Sequence, residues 1–187
     1  MSVLGPSGLV LGQGPRGPVT IRLFRPHGTR IVLGAPEYVS WLVVYRAAAL
    51  GVHISVTGDA EPWRSLLDRL RHTGVGVDHG PQIPDSGLPY RPSLVLGDLP
   101  PQLGPWQAHL GVASPEESPA PFRAADLALV TPDEEGAANL RRAFFLTGGQ
   151  TRAASTLSEN QVAVVSAHRL VRATVRPAPL EYRALFG

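Results

Sequence analysis

Two aspartates stand where an open α/β sheet would place ligand-binding groups. Asp59 and Asp98 each follow a β-rich run, within T-G-D and L-G-D. In such sheets ligands sit outside the carboxyl ends of the strands, so two acids there could hold a metal or a ribose. The plainer reading makes Asp59 a turn residue before a helix and Asp98 a loop stabiliser. A second candidate is Gly148-Gly149-Gln150-Thr151-Arg152. Gly148, Gly149 and Arg152 could form an anion-binding nest, but the pattern reads more simply as a helix stop followed by a cap. Gly12, Gly14 and Gly17 repeat the G-x-G-x-x-G spacing. That fingerprint works only between a strand and a helix. Here Pro15 and Pro18 interrupt and a strand follows, so the segment reads as a loop.

Other chemistries are excluded outright. All 17 basic residues are arginine and cysteine is absent, which removes Schiff-base and P-loop lysines, thiolate nucleophiles and Cys-ligated zinc. No G-x-S-x-G elbow occurs. The six histidines (27, 53, 72, 79, 109 and 168) lack partners at metal spacing on one element. Asp78-His79, with Asp85 nearby, is read as a solvated loop, so no metal and no cofactor is expected.

Charge is unevenly placed. Residues 1 to 56 carry +4, residues 57 to 140 carry −7, and residues 141 to 187 carry +5. Basic ends therefore flank an acidic middle. Without a basic run or an aromatic-interleaved ladder, nucleic-acid binding is not expected.

The elements that must position these residues follow from periodicity and punctuation. The 187 residues, with 20 Gly and 19 Pro, suit one domain with an arm. Residues 1–17 read as a flexible Gly/Pro-rich arm and 18–187 as a single α/β domain. Val19 to Phe24 and Arg30 to Leu33 alternate as strands and predict a hairpin. Pro36 to Leu50 predicts a helix opened by Pro36 and stopped at Gly51. Val39, Leu42, Val43, Arg46, Ala47 and Leu50 share one of its faces. Tyr38, Trp41 and Tyr45 share another. Strands are expected at Val52 to Thr57, Ser93 to Leu96, Gln107 to Val112 and Asp126 to Val130, and a helix at Glu61 to His72. Thr131, Pro132 and Glu134 predict a capping box for a helix running to about Leu146. A short helix is expected over Thr151 to Leu157. Gln161 to Ser166 and Arg169 to Arg176 predict a hairpin with Ala167-His168 at its tip, followed by a Pro-rich tail. The fold class is therefore α/β, a Rossmann-like mixed sheet flanked by helices with terminal β-hairpins. The longest apolar stretch, Tyr38 to Leu50, is too short to span a membrane. No signal peptide is read at the N-terminus.

Several stretches resemble one family. PVTIRLFRPHGTRIVL carries an R-L-F-R-P-x-x-T-R strand over Arg22 to Arg30. WLVVYRAAALGVHISVTGDAEPW carries an R-A-x-A-L-G helix end over Arg46 to Gly51 and the turn Thr57 to Trp63. ADLALVTPDEEGAANL carries the A-D-L strand at Ala125 to Leu127. QVAVVSAHRLVRATVRPAPLEYRALFG closes with a P-x-x-x-E tail, Pro177 to Gly187. Together they resemble the cytosolic domain of EccE, a membrane-complex component of the type VII (ESX) secretion system of actinobacteria. The resemblance implies a Rossmann-like, non-catalytic protein–protein interaction domain. It implies partners among the channel's membrane proteins and secretion ATPase, a cytoplasmic position at the cytosolic membrane face, and only indirect membrane contact. Self-association into a homo-oligomer stays open. Family members have transmembrane helices ahead of this domain, and this chain shows none. The expected partner surface is Tyr38, Trp41 and Tyr45 on the aromatic helix, with Arg169 and Arg172 on the last hairpin. The competing expectation is a small-molecule or nucleotide-binding α/β protein, a degenerate transferase among the options, using Asp59, Asp98, Gly148, Gly149 and Arg152.

Overall fold

The computed structural model describes residues 8–74, 83–100 and 102–187. Asp78 and His79 lie outside the described residues. Nine strands of the described residues form one mixed sheet, and the fold is α/β, Rossmann-like, with a β-hairpin toward each end of the chain.

Five strands make the parallel half. They are β3 (Thr29–Gly34), β4 (His53–Thr57), β5 (Ser93–Gly97), β6 (Gln107–Val112) and β7 (Leu127–Val130). Four more, β1 (Leu9–Gly14), β2 (Gly17–Ile21), β8 (Gln161–Ser166) and β9 (Arg169–Thr174), complete the order β2-β1-β9-β8-β7-β3-β6-β5-β4. Pairing is parallel throughout β7-β3-β6-β5-β4 and antiparallel from β7 outward to β2.

Alternation along the strands sorts the core into two layers. On one face Ile31, Leu33, Ile54, Leu94 and Leu110 meet α1 (Glu37–Ala49), α2 (Arg64–His72) and Leu185 of α6 (Pro179–Leu185). On the other, Val32, Ala128, Val130, Ala163 and Val165 meet α3 (Ala120–Arg123), α4 (Glu134–Phe144) and α5 (Gly148–Ser155). Among the described residues, no helix is long and apolar enough to cross a membrane.

Four sequence expectations are corrected. Residues 9–14 of the expected arm form β1, because Leu9 and Leu11 alternate into the core. Gly12 lets β1 cross β9, since a Cβ there would overlap the Thr174 carbonyl. The expected hairpin of β2 with β3 does not form. β2 pairs with β1, and β3 lies between β6 and β7. The α4 cap is Asp133, not Thr131: the Thr131 N–H bonds the Gly34 carbonyl and holds Thr131 in the sheet's extension. Asp133 Oδ1 then accepts the Gly136 N–H at 2.8 Å. Finally, Gly148-Gly149 does not stop α4. That helix ends at Phe145, which is left-handed at φ 56°. The glycines open α5 behind a capping box in which Thr147 and Gln150 bond each other's backbone.

Candidate functional site

The two aspartates meet at the carboxyl ends of the parallel strands. A cleft of about 510 Å³ opens there, lined by Glu37, Ser40, Trp41, Asp59, Trp63 and Asp98 among others. Each acid already serves the local backbone or sits against it. Asp59 Oδ1 accepts the Glu61 N–H at 2.9 Å. Asp98 lies over Gly58, whose φ is +67°, and a Cβ on Gly58 would strike the Asp98 carboxylate. Thr57 Oγ1 donates to the Asp98 carbonyl at 2.5 Å and lies 3.0 Å from that of Leu96. The lining holds three carboxylates and no arginine, so a phosphate entering it alone would meet like charge. Among the described residues no group of three or more acids and histidines could hold a metal ion.

His109 was missed by sequence reasoning. It is buried on β6, and its Nε2 donates to the Gly97 carbonyl at 2.7 Å. Burial lowers its pKa, and Arg30 adds to the fall, against the opposing Gly97 hydrogen bond and Asp98 charge. A lone histidine on a strand gives no periodic signal, so only the tertiary fold exposes its role.

The aromatic face of α1 is not a free surface. The Pro-rich tail forms α6 and packs on it, and Trp41 stacks on Phe186 with ring centres 5.7 Å apart. Tyr38 Oη donates to the Val175 carbonyl at 3.1 Å. Burial raises the Tyr38 pKa, partly offset by Arg176. Tyr45 is half-buried against the same core. Arg46 fastens the junction. Its Nε and Nη2 pair with both Glu181 oxygens at 2.7 and 2.9 Å. Its Nη1 donates to the Val10 and Leu11 carbonyls, and Nη2 also reaches that of Arg176. Burial pushes the Glu181 carboxyl up, but Arg46 and the Ala178 N–H outweigh it and hold the pKa below the ordinary range.

The motif residues quoted above interlock in the same way. Arg25 Nε donates to Thr29 Oγ1 at 3.0 Å, and Arg25 lies 3.5 Å from Asp126 of the A-D-L strand. Asp126 Oδ2 accepts the Arg30 N–H at 2.8 Å. Arg46 of the helix-end motif meets Glu181 of the tail motif. These side chains hold elements together.

Arg169 and Arg172 remain exposed on β9. They line a groove of about 640 Å³ with Arg16 of the β1–β2 turn and Gly149 and Gln150 of α5. This groove joins Gly149 from one sequence candidate to Arg169 and Arg172 from another. Gly148 is exposed one residue before Gly149. Arg152 is exposed on α5 and is not part of the groove lining. Among the described residues no acid lines the groove, and no ion pair joins Arg16, Arg169 or Arg172 to a described carboxylate.

No protein-family model matches the chain, and no curated protein matches it in sequence. Among solved structures the chain is similar to the genome packaging NTPase B204 from Sulfolobus turreted icosahedral virus 2. Its sulfate complex matches at 11% identity and a TM-score of 0.42, over 83% of this chain and 98% of that one. Its complex with ATP-gammaS matches at 10% identity and a TM-score of 0.43, over 82% and 99%.

Proposed function

We propose that this chain is a structural, non-catalytic protein–protein interaction domain of a type VII (ESX) secretion membrane complex. Its partners are other channel components, the secretion ATPase included, and they hold it at the cytosolic face of the cell membrane. The secretion assignment rests on the motif resemblance. The interaction role is carried by one observation, the open groove where Arg16, Arg169 and Arg172 converge without a carboxylate in its lining. Unpaired like charge gathered between β9 and the β1–β2 turn repels itself, and an acidic partner relieves that repulsion.

The test is affinity capture of the tagged chain from crosslinked cells of its own host. Recovery of the secretion ATPase or a channel membrane protein is the expected result. Capture that yields no membrane-complex component overturns the assignment.

The second reading, a nucleotide or small-molecule binder, is favoured by the cleft at the strand ends. A ligand at about 100 times its dissociation constant would stabilise the fold by about 2.7 kcal/mol. A thermal-shift screen with nucleotides and nucleotide sugars reads this directly. A clear upward shift that Asp98→Ala abolishes would favour the binder over the scaffold.

A further inference from the structure

We infer that the groove beside β9 receives an acidic segment of a partner chain in extended conformation. The inference rests on the interaction reading above and names the chemistry of its partner.

Three features converge on it. The first is an open strand edge. β8 pairs with β9 along its whole length, from Gln161 with Thr174 to Ser166 with Arg169. On the other side β1 pairs only at Gln13 with Thr174. The β1–β2 hairpin then reverses between Gly14 and Gly17. Gly14 still abuts the Arg172 carbonyl, so among the described residues Arg169–Val171 have no strand partner on this side. Alternate residues of a paired strand turn their N–H and C=O groups outward, and an unpaired edge is a template for another chain. The outermost strand, β2, is blunted by contrast, because Pro18 lacks an N–H.

The second feature is charge. Three arginines and no acid line the groove. They come from separate places, the β1–β2 turn and two positions on β9, so the fold, not one basic run, brings them together.

The third is the facing of the two β9 arginines. Leu170 packs into the layer under α4 and α5, whereas Ala173 belongs to the opposite layer. By alternation Arg172 shares the face of Leu170, and Arg169 shares the face of Ala173. One arginine therefore stands on each side of the strand edge. An extended peptide with two adjacent acids also sends one to each side.

The test uses the full chain and a short fluorescein-labelled peptide of Glu-Glu-Thr repeats, read by fluorescence anisotropy at low salt. The acidic peptide should bind and an Arg-Arg-Thr counterpart should not. The double variant Arg169→Glu/Arg172→Glu should weaken binding by about 100-fold, and Arg16→Glu by about tenfold. Replacing the threonines by proline keeps the charge and removes strand donors, and should weaken binding by about tenfold. If the charge-reversed protein fails to fold, Arg169→Gln/Arg172→Gln serves instead. Unchanged binding by whichever double variant folds overturns the inference, and so does equal affinity for the proline peptide. Competition by inorganic phosphate or by anionic vesicles as effective as that by unlabelled acidic peptide also overturns it.

The two proposals fail separately. If the arginine variants are still captured with channel components but the wild-type chain ignores the peptide, the inference falls and the secretion assignment stands. If the peptide binds as described but no channel component is captured, the assignment falls and the groove's preference stands.

Discussion

Two surfaces looked alike in the sequence and are treated in opposite ways by the fold. The aromatic face of α1, with Tyr38, Trp41 and Tyr45, is closed by the chain's own C-terminal helix through Trp41–Phe186 stacking and the Arg46–Glu181 pair. The β9 edge, with Arg169 and Arg172, is left open beside Arg16. Arginine plays both parts. Arg46 is consumed by Glu181 and three backbone carbonyls, whereas among the described residues no carboxylate lines the groove, although Arg169 also borders a second cavity with Asp126. Residue type alone therefore does not distinguish a clamp from a docking surface. The number of internal acceptors around each guanidinium does.

The largest expected effect lies in the closed region. Arg46 and Glu181 have side chains only 18% and 14% exposed. Arg46→Ala strands a covered carboxylate and leaves carbonyls on β1 and the tail without this donor. It should destabilise the fold by about 3 kcal/mol, read by chemical denaturation. A loss under about 1 kcal/mol would show that the clamp contributes little.

Phe186→Ala comes next. It removes the stacked partner of Trp41, and Phe186 is only half-buried. A loss of about 1–2 kcal/mol is expected, with Trp41 fluorescence shifting toward that of a solvated indole. An unmoved emission spectrum would mean that α6 does not cover this face in solution.

Stability should also respond to acid, through Glu181 of the closed region and through His109 on β6. Glu181 has a folded pKa below its unfolded value, so its contribution is present above about pH 4.3 and is lost as pH falls through the folded pKa. His109 is likewise lowered, by burial first. It favours the folded state fully above about pH 6.5, and that contribution declines as pH falls toward its folded pKa. Unfolding midpoints measured from pH 7.5 downward should thus fall in two steps. His109→Gln should remove the upper step, and Glu181→Gln should reduce the lower, which Glu116 shares.

The smallest stability effect belongs to the groove. Arg169→Glu/Arg172→Glu should change folding stability by no more than about 0.5 kcal/mol per site while transforming peptide affinity. A large loss of stability would make these arginines structural like Arg46 and erase the contrast between the regions.

Legibility followed the range of the interaction. Helix α1 was readable because Pro36 and Gly51 punctuate it locally, and the β8–β9 hairpin because Ala167-His168 joins adjacent strands. The α4 cap was misplaced by two residues. Thr131 and Asp133 both satisfy the local capping rule, and the choice depends on distant groups. Gly34 holds the Thr131 N–H. Glu116, held below the ordinary carboxyl range despite burial by the Ser114 hydroxyl and the Asp133 N–H, fastens the residue that does cap. The strand β1 was hidden because glycine and proline in and around it carry turn signals; it pairs along its length with the adjacent β2 and meets β9, about 160 residues away, at one pair only.

The sequence by itself determined the chemistry available, arginine without lysine or cysteine, and the α/β alternation of elements, since both depend on composition and local periodicity. It also placed Asp59 and Asp98 at strand ends. Which arginines would be enclosed and which left open was decided only by tertiary structure. The acceptors that occupy Arg46 come from β1, from α6 and from Arg176 in the segment between β9 and α6, and the gap that frees the β9 edge depends on where one hairpin turns back. Neither has a signature in neighbouring residues, because hydrogen-bond satisfaction and strand pairing are settled by which distant segments meet.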